Sequence, residues 1–230
     1  MPLPLNGQPL LQTLPLQIAE HLGAGIIEGS YAPGSRLREV ELAESFNVSR
    51  ATIREALRLL EQRGLVRIQP QRGAHVTQLS VKELDDLFEV RASLLATGSR
   101  LVAERCTDNM VQSLRGMVER LRQSADDVNA YARVSAELVH MLVHMSGNEV
   151  LAKYSGDFAL RIGRYARMGL LSHSRRRRSL SLWVCLINAI VQRDGLAAAQ
   201  IHAQLAMENR IAALEEFKKT AAGSTSPPSH

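Results

Sequence analysis

Only nine of the 230 residues are aromatic and only two are cysteine. With so few rings the core has to be built from Leu, Ile, Val and Ala, and 230 residues suit one or two domains. Cys106 and Cys185 lie far apart and without metal-type spacing, which excludes a disulfide framework and a cysteine zinc site and fits a reducing cytoplasm. The longest apolar stretch, Leu180 to Val191, is about 12 residues, short of the roughly 18 to 20 that cross a bilayer. The N-terminal MPLPLNGQPLLQTLP lacks the basic flank and continuous apolar core of a signal peptide, so a soluble, cytoplasmic protein with no membrane partner is expected. There is no fixed-period repeat and no Gly-rich phosphate loop. No nucleophile, base and orienting residue occur at recognisable spacing, so an enzyme is not expected. The first 78 residues also lack lysine: they carry 8 Arg against 7 Glu, a net of +1 in a chain whose total is +5. That head is not a generic polycation. Its guanidinium groups are placed rather than massed, which favours selective binding of duplex DNA over unspecific coating of nucleic acid.

What is present is a stretch from Leu42 to Gly73, LAESFNVSRATIREALRLLEQRGLVRIQPQRG. By period it reads as a short helix, a three-residue turn, a longer helix, a Gly stop and two short β-branched runs around a tight loop. This is the pattern of a winged helix-turn-helix. Leu42, Ala43 and Phe46 give the first helix its buried side, and Asn47-Val48 leads into Ser49, a hydroxyl placed to cap the next helix. There Ile53, Ala56, Leu57 and Leu60 recur at i, i+3, i+4 and i+7, while Arg50, Arg54 and Arg58 form an i, i+4, i+8 row on another face. One face is core and the other is guanidinium. Such a helix can enter a major groove, where Arg reaches guanine O6 and N7 in bidentate fashion. A solvated Arg stripe on an ordinary surface helix is the blander reading; the preceding helix, the cap and the wing weigh against it. Gln71, Arg72 and Gly73 at the wing tip are placed to meet a phosphate backbone or a minor groove, where Gly permits close approach.

Taken in order, residues 1–14 read as a mobile arm, 15–78 as the winged helix with a first helix from about Leu16 to Glu28, 79–219 as a helical domain, and 220–230 as a disordered tail. Ser80 is placed to cap the first helix of the second domain. Further helices fall near Thr107 to Ser124, Val128 to Met145, Glu149 to Leu170, Leu180 to Asp194 and Gly195 to Lys219, six in all. The fold class is mainly α. The run Arg175 to Arg178 falls in the loop before the Leu180 helix and is expected to be solvated.

PGSRL, then LAESFNVSRATIREALRLLEQRGLV, then RGAHV resemble the signature of GntR-family transcriptional regulators across residues 16–78. The resemblance implies an operator-binding head used as a homodimer, with Arg38, Ser49, Arg50, Thr52, Arg54 and wing Gly73 at DNA-contact positions. Ala51 stands where the family often has Thr, so one hydroxyl contact is missing. The order FEVRASLLATGSRLVAERC, HMSGNEVL, LINAIVQRDGLAAA resembles the helical effector domain called FCD, over about residues 81–218. Members of that domain commonly hold a divalent metal through an Asp and a His at i, i+4 and a His on each of two later helices, and the metal helps hold a small carboxylate. The matching positions here are Ser135, Val139, Trp183 and Leu205. Neutral or apolar side chains cannot hold such a cation, so no metal cofactor is expected. His140 and His144, with Glu137, share a helix face and leave open a weak relocated site.

Arg91 sits within an apolar stripe of its helix, and Leu95 replaces the Glu that the family often carries four residues on. A buried guanidinium needs a partner. Either a carboxylate or helix-end carbonyls elsewhere supply it, or a small-molecule effector does, and the loss of both Glu and metal points to an anionic effector such as a carboxylate. Arg161 and Arg164 are lesser candidates for the same role. Trp183 shares a face with Leu180, Val184, Ile187 and Ile190; it either packs in the core or narrows the family cavity.

Overall fold

The structure is a computed structural model that describes residues 13–223; the expected arm falls outside the described residues as far as residue 12, and the expected tail from residue 224. The chain forms two compact units that divide between Gln78 and Leu79.

The first unit opens with α1 (Leu14–Glu28), which has a proline in its first turn, where no backbone N–H is required. It buries Ile18, Leu22 and Ile26. Next come β1 (Arg36–Leu37), α2 (Glu39–Phe46), α3 (Arg50–Gln62), β2 (Val66–Gln69) and β3 (Gly73–Val76). The three strands form one antiparallel sheet in the order β1-β3-β2. Asn47 adopts the left-handed conformation (φ 51°) that ends α2 and turns the chain into α3. The core stripe of α3 is the one its period foretold, since Ile53, Ala56, Leu57 and Leu60 are all at or below 1% exposure. A carboxylate oxygen of Glu61 accepts the backbone N–H of Ile68 at 2.8 Å, tying the end of α3 to β2.

Among the described residues the second unit is six helices: α4 (Val81–Arg105), α5 (Asp108–Gln123), α6 (Val128–Met145), α7 (Glu149–Met168), α8 (His173–Val191) and α9 (Gly195–Gly223). Their starts follow the cap residues. Ser80 and Glu83 form a reciprocal capping box on α4, and Thr107, Asp127, Asn148 and Ser172 each accept a first-turn backbone N–H. The long helices α4 and α9 pack along one another. At the end of α7 the chain presses on α9: a Cβ on Gly169 would lie 2.6 Å from the carbonyl oxygen of Asn209, so only glycine fits there.

Two expectations need correcting. Helix α9 runs to Gly223, past the Lys219 boundary. Helix α8 begins at His173, not Leu180, so Arg175 to Arg178 lie in its opening turns. They are not uniformly solvated. Arg176 is 6% exposed and donates to four backbone carbonyls, those of Ala125 (2.6 Å), Leu171 (2.7 Å), Leu170 (2.9 Å) and Asp126 (3.4 Å). Arg175 and Arg178 both reach Glu208 on α9, at 3.4 and 2.9 Å. A run of four charges hides the helical period, but backbone carbonyls at the ends of α5 and α7 are strong acceptors that make burial of a guanidinium tolerable.

Candidate functional site

The eight arginines of the first unit fall into two sets. Four hold carboxylates: Arg38 with Glu41, Arg54 with Glu39 and Arg58 with Glu55, each at 2.8 Å, and Arg63 with Glu20 at 3.6 Å. The other four, Arg36, Arg50, Arg67 and Arg72, are exposed and make no side-chain hydrogen bond or ion pair among the described residues. Arg50 opens α3, where the Ser49 hydroxyl accepts the Thr52 N–H at 3.1 Å and lies 2.9 Å from the Thr52 hydroxyl. Exposed ion pairs are worth about 0.2–1 kcal/mol, whereas a bidentate guanine contact discriminates by about 1–3 kcal/mol. A pair of that strength does not commit Arg54 to Glu39. At the wing, Gln71 and Gly73 have positive φ, 62° and 84°, which folds the loop tightly beneath an exposed Arg72. Arg36 and Arg67 escaped the sequence reading. Strand alternation is the signal that would have placed them outward.

In the second unit a cavity of about 100 Å³ opens among α4, α6, α7, α8 and α9. Of the seven residues expected to hold an effector, Arg91, Ser135, Val139 and Leu205 line it. Three do not. Arg161 is exposed, and Arg164, half-buried, does not reach the wall. Trp183 is fully buried and packs edge-to-face on His202, ring centroids 5.2 Å apart. The indole fills space in the core, and Ser179, one turn earlier on α8, faces the cavity in its place. His140, noticed in the sequence only as one of an i, i+4 histidine pair, also contributes, as do Ser155, Arg167 and Asn209, polar residues with no motif to single them out.

Arg91 is enclosed by protein yet only half-buried by accessible surface, and it makes no hydrogen bond or ion pair among the described residues. Burial pushes its guanidinium down to about 10, which leaves it charged at neutral pH. The wall's other guanidinium, Arg167, donates to the Asn129 side-chain oxygen at 2.7 Å, and among the described residues that line the cavity there is no carboxylate. Asn209 donates its amide to the Ala166 carbonyl at 3.0 Å, which fixes the amide oxygen on the other side. One imidazole, hydroxyls and an amide do not make a site for a hard or borderline divalent cation. The ring centroids of His140 and His144 lie 4.2 Å apart with the planes tilted by 57°, but Glu137 is engaged by Arg120 at 2.8 Å. Among the described residues no three His, Cys, Asp or Glu side chains converge on one point.

His202 was not foreseen either. It is fully buried, with Nδ1 2.6 Å from the Ser99 hydroxyl, and burial, followed by the charge of Arg91, pushes its imidazole down to about 3. The folded ring is neutral. Below its ordinary value near 6.5 the unfolded chain takes up a proton that the folded one refuses until about pH 3, so stability falls with pH across that window, by up to about 1.4 kcal/mol per pH unit. His202→Gln is expected to flatten the acid limb of a stability profile measured by urea unfolding between pH 7 and pH 4. Parallel losses in both proteins would assign the limb to other groups.

Residues 14–76 match the family described as bacterial regulatory proteins, gntR family, and residues 86–208, more than half the chain, match the FCD domain. The chain is a GntR-family protein with an FCD domain. This GntR-family chain is 31% identical over 139 residues to the HTH-type transcriptional regulator YdhC of Bacillus subtilis (strain 168), covering 59% of itself and 62% of YdhC. It is 32% identical over 106 residues to the HTH-type transcriptional repressor RspR of Escherichia coli (strain K12), covering 46% of each. It thus spans less than two thirds of either relative. Both are named as regulators of transcription, not as enzymes. The solved structure of E. coli McbR/YncC, at 23% identity, superposes with a TM-score of 0.79 over 90% of this chain and all of that one, and shares the fold. Among the described residues no helix is long and apolar enough to cross a membrane.

Proposed function

We propose that this GntR-family chain is a sequence-specific, double-stranded-DNA-binding transcriptional regulator, acting as a homodimer in the cytoplasm. A small anionic effector, a carboxylate by its chemistry, binds beside Arg91 and modulates operator affinity. The observation that supports the sensing half is a charged guanidinium with no protein partner among the described residues, at a cavity free of carboxylates. A ligand carboxylate supplies two charge-assisted hydrogen bonds to it, with an apolar body against Val139 and Leu205. The alternative, a constitutive DNA-binding scaffold with a closed helical domain, is disfavoured by the presence of that cavity. Repression is the output we favour, supported by the name of RspR. An effector changes DNA affinity only as far as it binds the DNA-competent and DNA-released forms differently.

The reading half rests on Arg50 and Arg54. Arg50→Ala or Arg54→Ala should each cost roughly 1–3 kcal/mol on an operator selected from genomic fragments and relax preference at one base position. A two-fold dimer further requires an inverted-repeat site. Equal losses on operator and scrambled DNA, or a footprint without dyad symmetry, would overturn these assignments.

A further inference from the structure

Apart from Arg50 at the start of α3, the unpartnered arginines of the first unit lie away from the ion-paired ones. From Arg38 to Gln62, across α2 and α3, four Arg are outnumbered by five Glu. The helix expected to read bases is therefore set in a slightly acidic surround. Beyond Arg63 the sign changes: residues 64–78 hold Arg67 and Arg72 and no acidic residue. The register then collects these charges. Arg36 on β1 pairs with His75 on β3, and Arg67 on β2 pairs with the same His75. Directly opposed residues in antiparallel strands share a face, so Arg36, His75 and Arg67 form one row across three strands, on the side opposite buried Leu37, Val66, Ala74 and Val76. Gly73 lies two residues from His75 on that same side. A Cβ there would come within 3.6 Å of the Arg36 guanidinium, so the Arg36 side chain leans along β3 toward the tip that carries Arg72. The Nδ1 atom of His75, in the middle of the row, is buried and has no hydrogen-bond partner among the described residues. Residues 1–12 contain no acidic side chain to neutralise the row.

We propose that this outer sheet face, with Arg36, Arg67 and Arg72 around His75, grips the phosphate backbone of duplex DNA and carries most of the head's salt-dependent affinity, while the arginines of the α2 and α3 region discriminate sequence. The division follows from charge. Phosphate is drawn to unpartnered guanidinium groups and releases counterions on contact, whatever the bases. Around α2 and α3, Arg38, Arg54 and Arg58 each already have a carboxylate, and Glu39, Glu41 and Glu55 repel phosphate. Those arginines are recruited only where a base edge offers two acceptors. An acidic surround on the helices with a cationic sheet beside it gives a protein that slides on any duplex through its wing and stops where α3 finds its bases.

This inference rests on the DNA-binding reading above, and the test separates the two. Affinity of the full chain is measured by fluorescence anisotropy against a selected operator and a scrambled duplex of the same length, over a series of salt concentrations. Arg36→Gln and Arg67→Gln are each expected to lower the slope of log affinity on log salt by about 0.9 for every phosphate no longer neutralised, on both duplexes alike. The fall in affinity between about 50 and 200 mM salt then shrinks roughly 3.5-fold per phosphate. Arg36→Lys and Arg67→Lys keep the charge and are expected to keep the slope, whereas Arg54→Ala keeps the slope and loses the preference for operator. Unchanged slopes in the Gln variants, or equal losses in the Gln and Lys variants, would overturn the proposal while wild-type selectivity upholds the DNA-binding reading. Failure of the wild type to prefer operator over scrambled DNA would overturn that reading itself.

Discussion

Arg176→Met is expected to destabilise the helical unit by about 3–5 kcal/mol, the cost of breaking a buried charged network. The side chain is 6% exposed and its guanidinium serves carbonyls from two separate places, Ala125 and Asp126 after α5 and Leu170 and Leu171 after α7. Methionine has the length to fill the space but no donor, so all four carbonyls, that of Leu170 in a buried contact, lose their bonds. Arg176→Lys should recover less than half, because one ammonium cannot span four acceptors that a planar fork reaches together. The adjacent Arg177 is exposed, and Arg177→Met should stay within about 0.5 kcal/mol. Urea unfolding followed by circular dichroism measures all three. If Arg176→Met costs no more than Arg177→Met, the carbonyl cage does not hold the helices together.

The second large effect is expected at Arg91. Arg91→Lys should weaken the response to an effector, found by screening small carboxylates for release of operator DNA, by roughly ten- to a hundred-fold, the value of a bidentate charge-assisted contact. Operator affinity without effector should remain within about two-fold, since Arg91 makes no ion pair among the described residues whose loss would propagate. Val139→Trp, which fills the cavity, should act in the same direction by excluding the ligand. Unfolding of Arg91→Lys in the absence of any ligand would make the residue structural and would remove the anchor from the proposed site.

The elements of this fold were legible wherever one period governed a segment. The stripe Ile53, Ala56, Leu57 and Leu60 and the caps Ser49 and Ser80 stand where the spacing put them, because amphipathic period and capping hydroxyls are local properties. Arg91 could be singled out because a charge inside an apolar stripe is itself a local anomaly, and it lines the cavity. The misreadings share a cause. Arg176 is buried in part by acceptors some fifty residues earlier in the chain, and Ser155 and Asn209 reach the cavity only once helices cross. None of these partnerships leaves a trace in the spacing of the residues around it.

The cationic face of the wing sheet has a consequence for regulation by modification. Its charge comes from arginine alone, and no lysine precedes Lys82, at the start of α4. Acetyl transfer to an ε-amine, a common way to neutralise a DNA-binding surface, has no side-chain acceptor anywhere in the head. If the proposed grip on DNA holds, lysine acetylation has no direct means of neutralising it.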